Sequence, residues 1–268
     1  MLIRSEESGV QLNLRDLWAY RELLYFLTLR DIKVRYKQTL LGAAWVIIQP
    51  LMIMLIFTLI FSRFARLDTK DIPYPLFAYS GLLLWTFFAN AVTSGTYSLI
   101  NNSHLVTKVY FPRVFIPMAS VGAGLVDFAI AFLLLIALAF YFKLQLSWML
   151  LLLPLFVLLA AVLALATGIL VSALTVKYRD LRHALPFIMQ FWMFASPVIY
   201  PTSIVPENWR WILLINPMTG VIEGFRAALT GQEFDWNLIV ISAVSGLLLL
   251  AIAYYVFRAL EDTFADVI

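Results

Sequence analysis

Residues 39–62 read TLLGAAWVIIQPLMIMLIFTLIFS, a run without a single charge. As a helix rising 1.5 Å per residue the run is roughly 36 Å long, enough to cross a ~30 Å hydrocarbon core with some tilt. The stretch before it, residues 12–38, carries Arg15, Arg21, Arg30, Lys33, Arg35 and Lys37. Cations flanking an apolar span hold that flank in the cytoplasm. This junction sets the solvent, the orientation and the cytosolic face of the chain. Composition agrees with it. Of 268 residues, 63% are hydrophobic and only 13% charged, which excludes an ordinary soluble surface. An aromatic content of 15%, with 8 Trp, suits a protein with two membrane interfaces to populate. The net charge of +3 is too small to point to nucleic acid. With no cysteine, disulfides, thiolate metal sites and lipidated cysteine anchors are excluded. Residues 1–11 are polar, and no cleavable signal peptide is expected.

Apolar periodicity predicts an all-α integral membrane protein with six transmembrane helices. The spans fall at residues 39–62, 76–100, 114–142, 148–176, 184–200 and 237–257. Residues 1–38 form a cytoplasmic segment whose apolar residues, from Leu14 to Tyr36, follow one helical face, with Arg21 and Arg35 falling on that stripe. We read this segment as an N-terminal amphipathic interface helix. Residues 39–268 form a single six-span domain. Pro50 invites a kink in the first span. The second span is rich in small and polar residues, which favour close helix packing or a wet lumen. Residues 201–236 hold apolar runs too short to cross and too hydrophobic for a loop, and predict re-entrant helices between spans five and six. On this layout thirteen of the 19 Lys and Arg fall inside and six outside, placing both termini in the cytoplasm of a multi-pass protein of the cytoplasmic (inner) membrane.

Little in the chain suits catalysis. None of the 11 glycines precedes a lysine, so no phosphate-cradling G-x-x-x-x-G-K-[ST] loop exists. His104 and His183 stand alone, without metal-ligand spacing. Any ATP and Mg must therefore bind another chain, and no cofactor or metal is expected in this one. Several groups carry two readings each. His104, Lys108 and Arg113 suit a lipid diphosphate, or serve as positive-inside anchors. Trp85, Phe87, Phe88, Tyr97, Phe191, Trp192 and Phe194 suit a lining along which sugar rings slide, or a packed or interfacial belt. Asp127, the one carboxylate within a span, costs ~2.5–3.5 kcal/mol on insertion scales and must face a partner or water. A polar contact with Asn, Ser or Thr on a neighbouring span is its simpler expectation. Glu223 and Arg226 lie three apart and can pair on one helical face. Gly220 and Gly224 have the small-xxx-small spacing that admits another helix. A short helix cap and turn is the alternative for both.

The ordered set RDIKVRYKQTLLGAAWVIIQPL, KVYFPR, VKYRDLRHALPFIMQFWMFASPVIYP and INPMTGVIEGFRAALTG resembles the permease subunit of ABC-2 type ABC transporters, in the branch that exports O-antigen, capsule and teichoic acid. The resemblance covers nearly the whole chain. It implies a homodimer of six-span subunits, joined to two copies of a separate ABC ATPase subunit, that exports a lipid-linked polysaccharide, as in lipopolysaccharide biosynthesis. It further implies that Arg30, Lys33, Arg35 and Lys37 dock the ATPase, that residues 101–113 form a cytosolic gate and coupling region, and that residues 206–231 are external re-entrant helices. Exporters of a drug, a lipid or haem, an enzyme acting on isoprenoid-linked sugars, and a passive channel or scaffold are the rival readings. An enzyme needs a cluster of carboxylates or histidines at one membrane face, which this sequence lacks.

Overall fold

The computed structural model describes residues 18, 20–37, 42–64, 72–108, 111–145, 147–261 and 263–264. Residues 1–17, which hold the polar stretch 1–11 and the start of the expected interface segment, and residues 65–71 of the expected loop lie outside them. Among the described residues every regular element is helical: α1 (Arg21–Tyr36), α2 (Ala44–Phe57), α3 (Tyr74–Asn101), α4 (Ser103–Lys108), α5 (Phe115–Tyr141), α6 (Leu153–Lys177), α7 (Leu181–Ala195), α8 (Arg210–Ile215), α9 (Pro217–Thr230) and α10 (Trp236–Glu261). A π-helical turn, Thr58–Phe64, continues α2, and a 3-10 turn, Trp148–Leu152, leads into α6.

The bundle is built around α3, which packs along α5 on one side and α6 on another. Its polar residues explain that position. Small side chains permit close approach: a Cβ placed on Gly95 would lie only 3.5 Å from the Cα of Gly168 on α6. Hydroxyls with no water to meet bond back to their own helix. Thr96 donates to the Val92 carbonyl at 2.8 Å, Ser98 to Gly95 at 2.6 Å and, on α6, Thr167 to Leu163 at 2.8 Å. The α10 helix packs on α6, and α9 lies against both. Exposed Trp148, Trp209, Trp211 and Trp236 gather at the end where α5 passes to α6 and α9 to α10, as an interfacial aromatic belt does.

Five helical segments are long and apolar enough to cross a membrane, and a sixth crossing requires a bent pair. The expected fifth span, 184–200, is the 15-residue α7 ending at Ala195. Such a helix is roughly 22 Å long, short of the ~30 Å core. The segment Glu207–Ile215 and α9 then meet at 96°, which is the re-entrant geometry expected for residues 201–236. Asn216 makes the bend. Its side-chain oxygen caps α9 by accepting from the Met218 amide at 3.1 Å and also accepts from Trp192 Nε1 at 2.9 Å. Its amide donates to Ser196 Oγ at 2.8 Å and to the Ala195 carbonyl at 3.2 Å. Pro217 at the first helical position needs no amide partner. At the other end of α9, Gly231 adopts φ 74° and closes the helix with a 2.9 Å bond to Ala227.

Candidate transport cleft and its cytosolic attachments

A cavity of about 360 Å³ opens between α2, α3 and α5, with the end of α1 as its floor. Amides and hydroxyls line much of it: Gln49 from α2, and Thr86, Asn90, Thr93 and Ser94 from α3. Trp45, Phe87 and Phe128 supply aromatic surface. This mixture offers exchangeable hydrogen bonds and flat apolar contact in one place. Such a lining suits a polar, ring-bearing ligand.

The cleft's floor is an ion pair. Arg35 and Tyr36, consecutive on α1, each donate to one carboxylate oxygen of Asp127, about three turns into α5. The expectation for Asp127 was an amide or hydroxyl on a neighbouring span. Its partners are instead a guanidinium and a phenol from α1. The signal for this was present: Arg35 sits on the apolar stripe of α1, where a cation belongs only if it has a buried partner.

The four cations assigned to ATPase docking separate accordingly. Lys33 and Lys37 are exposed, Arg30 pairs with its neighbour Asp31 at 2.8 Å, and Arg35 is turned inward to Asp127. Of the three groups assigned to a diphosphate, His104 and Lys108 stand exposed, four residues apart on α4. Arg113 is engaged elsewhere. Its backbone amide donates to Glu261 Oε1 at 3.2 Å, and its guanidinium donates to the Glu261 carbonyl at the end of α10. Glu261 also accepts from Arg258 at 2.7 Å.

The seven aromatic candidates also divide. Phe87 lines the cleft and meets Phe128 edge-on at 5.7 Å. Trp85 and Phe88 are buried against Trp192, with ring centroids 6.3 and 5.1 Å from it, so these three form a packed cluster. The Tyr97 hydroxyl ties α3 to the start of α7 through the Arg182 carbonyl at 2.9 Å. Phe191 and Phe194 point outward from α7, 67% and 50% exposed.

Glu223 and Arg226 pair at 2.9 Å on α9. Arg226 is only 3% exposed, which the sequence did not indicate. It lies 3.7 Å over the Phe77 ring and donates to the carbonyls of Pro197, at 2.6 Å, and Val198. One guanidinium thus joins the re-entrant helix to α3 and to the turn after α7. Gly220 and Gly224 bring α9 close to its neighbours: a Cβ on Gly220 would lie 2.2 Å from the Leu238 carbonyl oxygen of α10, and one on Gly224 2.1 Å from the Phe156 ring of α6.

A helical bundle with a polar, aromatic-edged cleft at membrane depth, a basic helix at its base and re-entrant helices is a membrane permease in kind. The sequence profile of ABC-2 type transporters matches residues 22–230, and the chain belongs to that family. It is 32% identical to the O-antigen export system permease protein RfbA of Myxococcus xanthus, over 94% of this chain and 97% of that one. It is 28% identical to the RfbA permease protein of Klebsiella pneumoniae, over 92% and 95%. It is 22% identical to the polysialic acid transport protein KpsM of Escherichia coli, over 75% and 79%.

Proposed function

We propose that this chain is the membrane permease subunit of an ATP-driven exporter that carries a lipid-linked cell-surface glycan across the cytoplasmic membrane. In this reading it works as a pair of identical subunits with two copies of a separate ATPase, which binds ATP and Mg. The observation that carries the reading is near full-length similarity to permeases of O-antigen export, in a chain whose cleft joins amides, hydroxyls and aromatic rings. The inward excess of cations supports cytoplasmic termini. Of the candidate cations, exposed Lys33 and Lys37 are available to meet an ATPase, and exposed His104 and Lys108 on α4 a diphosphate head.

Co-purification tests the reading. The tagged chain, extracted gently from its native membrane, should bring down a protein carrying G-x-x-x-x-G-K-[ST], and mass spectrometry should find retained lipid-linked sugar. Recovery of the ATPase with a drug, a simple lipid or haem in place of glycan would keep the exporter and replace the cargo. A preparation that turns over isoprenoid-linked sugar without any ATPase would overturn the proposal.

A further inference from the structure

Three contacts attach α1 to α5, in register along both helices. Tyr20, just before α1, meets Phe115 with ring centroids 6.3 Å apart. Eight residues on, Thr28 packs on Gly122, and a Cβ built on that glycine lies 3.7 Å from the Thr28 Cβ. At the far end Arg35 and Tyr36 close on the two oxygens of Asp127. The next helix in sequence is held differently. Only Pro50 and Met54 of α2 are buried, and the cleft lies between it and α3 and α5. Between α1 and α2 the chain passes Gly42 at φ 52°, a conformation that side chains other than glycine rarely adopt.

We propose that Asp127 is the anchor by which the basic helix grips the bundle, so that α1 and α5 move as one body. A cytosolic push on α1 then reaches α3 through α5, not through the adjoining α2, and α2 is the wall that opens and closes the cleft. Each oxygen of the carboxylate has its own donor, so withdrawing α1 strands a charge inside the span, where it is strongly disfavoured. No comparable polar bond fixes α2 among the described residues. Because α5 and α3 share the most extensive helix pairing there, a shift of α5 is felt at the cleft's hydroxyl wall. Asp127 is thus a positioning residue rather than a cargo contact. The push and the cargo rest on the exporter reading above; the grip does not.

A chain without cysteine permits a direct test. A Cβ separation of 3.7 Å suits a disulfide, so Thr28→Cys with Gly122→Cys should cross-link in native membranes under mild oxidant. The bond is read as fragments that stay joined after cleavage at a protease site placed between the two positions. Adding Asp127→Ala should slow cross-linking at least tenfold, and the exchange Arg35→Asp with Asp127→Arg should restore it. Unchanged cross-linking in Asp127→Ala overturns the grip. In the full transporter with its ATPase, the oxidised pair should export at no less than half the parent rate. Export that is lost on oxidation and regained with reductant overturns the single body. Asp127→Ala alone should lose at least tenfold in export per ATP hydrolysed at normal abundance, and the oxidised staple should recover it. Abundance and hydrolysis falling together would make Asp127 merely structural and overturn its coupling role. A parent chain that exports no glycan sinks the exporter reading, while the cross-linking comparison still decides the grip.

Discussion

Arg226 shows how much a single side chain can hold in this bundle. A buried cation is stable only when its hydrogen bonds are met and its charge is paired. Here Glu223, two carbonyls and the Phe77 face share that task. Arg226→Ala should cost about 3–5 kcal/mol, the usual penalty for breaking one side of a buried pair. Arg226→Lys should recover only a minor part, since an ammonium cannot reach several carbonyls in a plane. Thermal unfolding of the detergent-solubilised chain, with Glu223→Gln as the milder comparison, checks both. The pairing of Glu223 with Arg226 was readable from their spacing. The carbonyls of Pro197 and Val198 were not, because no periodicity links residues almost 30 positions apart. Asp127 teaches the same lesson from the other direction. Its need for a partner was plain from one carboxylate in an apolar run, but the choice of Arg35 depended on how α1 lies on α5.

Among the elements, α4 and the end of α10 share one buried cluster, and their residues have different tasks. Arg113 is bound to Glu261, and Phe264 is buried beside Phe257 at 5.3 Å, so the end of α10 braces the start of α5. That leaves His104 and Lys108 as the exposed pair on α4. If they receive a diphosphate head, His104→Gln with Lys108→Gln should cut export by tenfold or more at unchanged abundance. A charge-assisted bond is worth ~1.5–3 kcal/mol, about one to two decades in affinity. Glu261→Ala should instead loosen that cluster, seen as faster proteolysis near Arg113, with a smaller loss of export. Equal export losses in the two variants would merge the brace with the gate. Long spans were legible here because an uncharged run has few alternatives in lipid. The limits of α7 were less so, since the apolar run 184–200 continues past the point where Ser196 and Pro197 leave the helix. The sequence Asn-Pro at 216–217 is the local signal that marks the next start.

For the whole molecule, orientation is the property that every functional assignment shares. Single cysteines at Thr107 and His183, both exposed, should resist an impermeant thiol reagent in intact cells and react once the membrane is opened. One at exposed Ser203 should react in both conditions. Labelling of the first two in intact cells would reverse the chain and with it the docking and gate assignments. The five long spans were the easier inference, resting on length and hydropathy; how the second span becomes the centre required the packing itself. Its glycines, hydroxyls and amides permitted either a wet lumen or close helix contact, and α3 uses both, with its cleft face open and the remainder closed against α5 and α6.

That central place has a consequence for how the protein is made. Synthesis delivers α3 before either helix that shelters it, and α6 is completed at Lys177, well after α3 ends at Asn101. At about 5–20 residues per second, the nascent chain waits several seconds with its least lipid-compatible helix uncovered. A ribosome-stalled chain ending before α6 should therefore remain beside the insertion machinery, captured by cross-linkers placed on α3, and should be degraded when released. One extended through α6 should leave that machinery and resist proteolysis. That outcome would place the quality-control checkpoint for this permease in the middle of its own translation.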